Sequence, residues 1–85
     1  MSELDRPWDP GATMLDTRGL LCPLPVIRTQ NRIKELPADA LLDVVATDPG
    51  TLHDIPAWCR VHGHELVGTA QRNREIWIRV RVRRS

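Results

Sequence analysis

Thr13-Met14-Leu15-Asp16-Thr17-Arg18-Gly19-Leu20-Leu21-Cys22-Pro23-Leu24-Pro25-Val26 is the stretch on which the fold turns. Thr13–Thr17, centred on Leu15, reads as a strand, and Arg18-Gly19 closes it with a residue free to turn the chain. Pro23 and Pro25 then mark the first turn of a helix, because the N–H groups they lack would have no intrahelical partner there. This spacing predicts Cys22 as the N-cap. Pro25 has no N–H to offer the cap side chain, which leaves Leu24 N–H as the nearby donor. The sulfur is thus expected beside a donor and the positive helix pole, both of which favour thiolate. A surface helix pole is too weak to ionise a thiol at neutral pH by itself. Arg18, the nearest cation in the chain, is expected to supply the remainder.

Working outward, the helix continues from Pro23 to about Leu36. Val26, Ile27, Ile33 and Leu36 lie on its apolar side, polar residues lie on the other, and Pro37 ends it. Leu41–Ala46 is branched and apolar enough for a buried strand, followed by the turn signal Asp48-Pro49-Gly50. Asp48-Pro49-Gly50 reads most simply as a turn in which Asp48 bonds its own backbone downstream, with a wall near the Cys22 pocket as the functional alternative. A second helix covers Thr51–His62, with Leu52, Ile55, Cys59 and His62 on one stripe. Thr51-x-x-Asp54 resembles a capping box, Pro56 falls in the early turns, and Gly63 closes the helix. His64–Thr69 and Glu75–Val82 read as a hairpin around Gln71–Arg74. In the last strand Ile76, Ile78, Val80 and Val82 face the helices, while Trp77, Arg79, Arg81 and Arg83 are expected on a wet face. A strand, helix, strand order of this length implies a parallel crossover, and both helices then cover one side of the sheet.

Eighty-five residues allow one domain. Residues 1–12 are rich in acids and prolines without an apolar run, which reads as a disordered tail and as neither a signal peptide nor a membrane span. Trp8 within it is expected to dangle. Residues 13–85 form the domain. The two cysteines, far apart in sequence, are expected reduced and the protein cytoplasmic. Residues 1–59 carry a net charge of −4 and residues 60–85 a net charge of +5, so the C-terminal end is a basic flank. It suggests a rival from another class, a nucleic-acid-binding or regulatory module using Arg72, Arg74, Arg79, Arg81 and Arg83. Charge on an edge strand is also ordinary protection against aggregation, and direct nucleic-acid binding is not expected.

Cys59-x-x-His62-x-His64, with His53 upstream, holds ligand types that suit zinc. Cys59 lies on the apolar stripe, however, and the two histidines flank the negative pole of a helix, so no metal or cofactor is expected. No Gly-rich phosphate loop occurs. A cysteine hydrolase would need a base for Cys22, and only His53 is a candidate.

These residues carry a resemblance. Leu15-Asp16-x-Arg18-Gly19-Leu20-x-Cys22-Pro23-x-Pro25-Val26, with Ala46-Thr47-Asp48-Pro49-Gly50, Asp54-Ile55-Pro56, Trp58-Cys59 and Gly63-His64-Glu65-Leu66, resembles the TusA (SirA-like) sulfur-carrier family from about Leu15 to Val82. The resemblance implies an α+β two-layer sandwich, a mixed four-stranded sheet with two helices on one face in the order βαβαββ. It also implies that Cys22 accepts sulfane sulfur as a persulfide from a cysteine desulfurase or rhodanese-like donor and relays it to an acceptor protein. The family's destinations are tRNA thiolation, molybdenum-cofactor supply and sulfur oxidation. Gly19, Pro23, Leu24, Pro25 and Arg18 are the supporting residues. Family members often place a basic residue directly before the cysteine; this chain has Leu21, which shifts the demand for positive charge onto Arg18 and the helix end.

Overall fold

The computed structural model describes residues 7–8 and 11–83. Six elements follow one another: β1 (Thr13–Thr17), α1 (Leu24–Ile33), β2 (Leu41–Ala46), α2 (Thr51–His62), β3 (Glu65–Arg72) and β4 (Glu75–Arg81). The four strands form one mixed sheet in the order β1-β2-β4-β3. β1 and β2 are parallel, and β4 is antiparallel to both β2 and β3. The predicted βαβαββ sandwich is the fold.

The core is the layer between helices and sheet. Ile33, Leu42, Val44, Ile55, Cys59, Ile76, Ile78, Val80 and Val82 fill it, all buried, as the alternation of β2 and β4 requires. Helix α1 buries Pro25, Thr29 and Ile33, one turn apart, and Thr29 satisfies its hydroxyl by donating to Pro25 O at 2.8 Å. Ile27, expected in the core, is 44% exposed instead. The helix also stops at Ile33 rather than Leu36. Glu35 N–H and Leu36 N–H reach back three residues to Arg32 O and Ile33 O, because Pro37 disfavours helical backbone in the residue before it.

Helix α2 has the predicted bounds and runs through Pro56. Its start is built differently from a capping box: Gly50 is the N-cap, no side chain caps, and Thr51 Oγ1 is buried without a partner. The first N–H groups bond instead to Asp48 O, Pro49 O and Gly50 O of the preceding turn. Gly63, at φ 77°, ends the helix, and His64 N–H returns to Cys59 O at 2.9 Å.

Although Arg81 and Arg83 at its end keep contact with solvent as expected, the middle of the second face of the sheet is not wet. Trp77, Val45 and Asp43 are fully buried on it, which corrects the expectation for Trp77. Arg79 lies opposite Asp43 in the register and binds it with two parallel bonds of 2.7 and 2.8 Å. On the other flank, the β3 partners of Arg79 and Trp77 are the small residues Gly68 and Ala70. Trp8 fills the space they leave. Its ring lies 5.0 Å from the Arg79 guanidinium carbon, and Cζ2 is close enough to Gly68 that an added Cβ would sit 3.5 Å away. Trp8 therefore packs rather than dangles. Most of the predicted tail, residues 1–6 and 9–10, lies outside the described residues.

Candidate functional site

The carboxyl ends of the parallel pair β1 and β2 lead into the two helix starts, so the β1–α1 loop and the β2–α2 turn sit side by side. This is the edge of an α/β sheet where crevices form. Thr17 fixes the end of β1 by donating its hydroxyl to Val45 O at 2.8 Å inside the core. Gly19 then turns the chain at φ 80°, a conformation that disfavours a side chain, and donates its N–H to Thr47 Oγ1 at 2.9 Å. Cys22 N–H donates to Asp48 Oδ2 at 2.8 Å, while Asp48 Oδ1 accepts from Gly50 N–H at 3.0 Å. Asp48 is therefore both the expected self-bonded turn residue and the clamp joining that turn to the cysteine loop.

Cys22 is exposed, and its placement differs from the N-cap expectation by one residue: Pro23 is the N-cap, Leu24 opens α1 and Pro25 takes the second helical position. The Cys22–Pro23 peptide bond is cis. Leu21 O accepts from Leu24 N–H at 2.9 Å, so the donor assigned to the sulfur is used by the backbone. The electrostatics also reverse. Cys22 Sγ donates to Asp54 Oδ2 at 3.1 Å. That hydrogen bond, then burial, then the charges of Asp54 and Asp48, hold the thiol above its ordinary value. Arg18 is committed elsewhere. Its Nε and one terminal nitrogen grip Asp16 at 2.9 and 2.6 Å, and the other terminal nitrogen reaches Glu75 on β4 at 3.0 Å. These bonds press Asp16 below the usual carboxylate range and tie the β1–α1 loop to the hairpin. Arg18 is thus a brace for the loop, and the expected thiolate-stabilising contact is not made.

Exposed apolar side chains flank the cysteine in the chain. Leu21 is 72% exposed and Leu24 43%, and Ile27 follows Leu24 on the same side of α1. Sequence reasoning missed Asp54 as a partner of the thiol. It is separated from Cys22 by 32 residues and carries only a local helix-start signal, so nothing short of the pairing of the two helix starts reveals it.

The remaining candidates are occupied by structure. Cys59 is fully buried, and burial pushes its thiol up to about 11. His64 accepts Arg83 N–H through Nδ1 and stacks with Trp58, whose ring also meets His62. Among the described residues no group of three or more His, Cys, Asp or Glu is arranged to hold a metal ion. Of the basic flank, Arg79 pairs with Asp43, Arg81 with Glu65, and Arg83 with Asp39 and Glu65. Arg72 and Arg74 line an open cavity of about 640 Å³ with Thr47, Asn73 and Glu75. Among the described residues no helix is long and apolar enough to cross a membrane.

Comparison with known proteins agrees with this architecture. The SirA-like protein of Desulfitobacterium hafniense superposes with a TM-score of 0.75 over 85% of this chain and 99% of that one, at 20% identity, which speaks to the fold alone. The sulfur carrier protein TusA of Pseudomonas syringae pv. syringae (strain B728a) is 53% identical over 53 residues, 62% of this chain and 63% of that protein. YrkF of Bacillus subtilis (strain 168) is 45% identical over 56 residues, 66% of this chain but 30% of that protein. The matched segment therefore spans less than two thirds of these relatives. The family described as sulfurtransferase TusA matches residues 13–84, nearly the whole described fold. With that span, the chain belongs to the TusA family.

Proposed function

We propose that the protein is a sulfur carrier that accepts sulfane sulfur on Cys22 as a persulfide and relays it to an acceptor protein. The observation that carries this reading is the contrast between its two cysteines: Cys22 is exposed in a braced loop, flanked in the chain by exposed apolar side chains, and Cys59 is sealed in the core. A relay thiol must meet the sulfur of a partner, whereas a packing thiol need not. In the loading step Cys22 thiolate attacks the outer sulfur of a donor persulfide, the donor's S–S bond breaks, and the donor leaves as thiolate and takes up a proton. The sulfur atom changes owner with no net oxidation. Unloading repeats the exchange, with an acceptor thiolate attacking the outer sulfur held on Cys22.

Gly19 and Asp48 hold the loop in place, and Pro23 and Pro25 shape the helix start without leaving backbone donors unpaired. Leu21, Leu24 and Ile27 offer partners an apolar landing. A cysteine desulfurase or rhodanese-like protein fits as donor, and tRNA thiolation, molybdenum-cofactor supply and sulfur oxidation are the destinations to which such a carrier delivers. A reducing compartment such as the cytoplasm suits a free, exposed thiol. The test is incubation with a cysteine desulfurase and cysteine, followed by mass spectrometry. Cys22 is expected to gain about 32 Da, removable by reductant, as a persulfide would. The same adduct on the Cys22→Ala protein defeats the assignment.

A further inference from the structure

Asp54 is a carboxylate that faces the reactive sulfur from the first turn of α2, and among the described residues no ion pair engages it. Its Oδ2 takes the Cys22 thiol proton as a hydrogen bond at 3.1 Å. Asp48, from the β2–α2 turn, adds a second negative charge with its Oδ2 on Cys22 N–H. The nearest cation on the β1–α1 loop, Arg18, is turned to Asp16 and Glu75. A carrier built only for nucleophilicity would place a cation at this position, so the arrangement calls for another account. We propose that Asp54 is a positioning residue that lowers the thiolate fraction of the free carrier's Cys22 and keeps its sulfur aimed, so that the unengaged thiol is spared indiscriminate reaction. This rests on Cys22 being the sulfur-bearing residue. The electrostatics agree, since the bond to Asp54 is the largest cause holding this thiol above its ordinary value.

A carboxylate accepting from S–H stabilises the thiol, whereas the same carboxylate repels the thiolate. Loss of the proton to solvent therefore turns the strongest local bond into a like-charge contact. A unit charge at about 4 Å in water-like surroundings changes the thiolate population about fivefold. The more abundant thiolate is also the less basic and less nucleophilic one, which takes back about twofold of rate. Two effects of opposite sign give a signature that a change in access cannot imitate.

The experiment measures the rate of iodoacetamide alkylation of the full chain against pH, read on the Cys22 peptide by mass spectrometry. Asp54→Asn is expected to move the midpoint of the profile to lower pH, with alkylation about twofold faster at pH 7 and about twofold slower on the alkaline plateau. Asp54→Glu, which keeps the charge, is expected to stay close to the parent. Unmodified Cys59 in the same samples reports that the variant is folded. Should Asp54→Asn fail to fold, Asp54→Ala must move the midpoint in the same direction. An unmoved midpoint, a rate raised equally at every pH, or equal behaviour of the Asn and Glu variants overturns the proposal. Loading by a desulfurase is scored separately. A parent protein that never takes sulfur defeats the carrier reading, whereas loading with an unmoved profile defeats only the role of Asp54.

Discussion

Replacing Arg79 by Met tests the reading of the second sheet face, because it removes the cation and keeps much of the stem. Asp43 is 1% exposed in its side chain and Arg79 14%, with paired bonds of 2.7 and 2.8 Å. Removing one partner of such a pair leaves a carboxylate in a dry site, which costs about 3–5 kcal/mol. A domain of this size holds roughly 4–13 kcal/mol in total, at about 0.05–0.15 kcal/mol per residue. The loss therefore takes a large share of the fold's stability. At about 4–8 °C per kcal/mol for a domain of this length, the melting temperature should fall by at least about 12 °C. Urea denaturation followed by circular dichroism gives the free energy directly. The double variant Asp43→Leu with Arg79→Met should recover most of the loss, since an apolar pair of similar volume needs no counter-charge. The reasoning fails if Arg79→Met lies within about 1 kcal/mol of the parent, or if the double variant is no better than the single.

Exposed pairs should behave otherwise. Asp39→Asn, which removes the charge facing Arg83 at an exposed position and keeps a residue type that tolerates its φ of 68°, is expected to change stability by under about 1 kcal/mol in the same urea assay. Trp8→Ala should lower stability by about 1–3 kcal/mol and raise acrylamide quenching of the remaining tryptophan fluorescence, because Trp8 packs on Arg79 and Gly68 over the face that buries Trp77; unchanged quenching and stability would show that its docking adds nothing. Cys59, raised from 9.0 to about 11, gives the folded state a share of stability that is full below pH 9 and is lost by about pH 11, because the unfolded chain ionises first. The chain has no tyrosine and one lysine, so this alkaline slope is little obscured; Cys22 adds to it in the same direction, and Cys59→Ala should flatten Cys59's part in urea titrations at pH 8, 9 and 10. Single-stranded RNA should bind weakly at 0.15 M salt, since Arg79, Arg81 and Arg83 are already paired within the fold; tight binding that weakens steeply with salt and survives alkylation of Cys22 would instead favour the nucleic-acid reading.

Much of this protein is written locally. The period of two in Ile76, Ile78, Val80 and Val82 and the glycine at Gly63 each act within a few residues, and each places or ends an element where the fold has it, whereas Pro37 bounds α1 only to within a turn. The cysteine loop is legible for the same reason, since Gly19, Pro23 and Pro25 constrain backbone angles and donors whatever surrounds them. Arg18 and Trp77 mark the limit of such reasoning. Adjacency in sequence set Arg18 beside Cys22 and alternation set Trp77 in water, but a long side chain goes to the strongest available partner, and a strand face is wet only if nothing crosses it.

What the sequence alone determined, then, is the order of elements, the face of β4 that meets the helices, and the presence of one thiol at a helix mouth. Only the tertiary structure decided what that thiol faces, because α2 brings Asp54 to it across 32 residues of chain. The physical reason is range. Backbone propensities act over one or two turns, while the charge state of a side chain answers to whatever stands within a few ångströms in space, from any part of the chain.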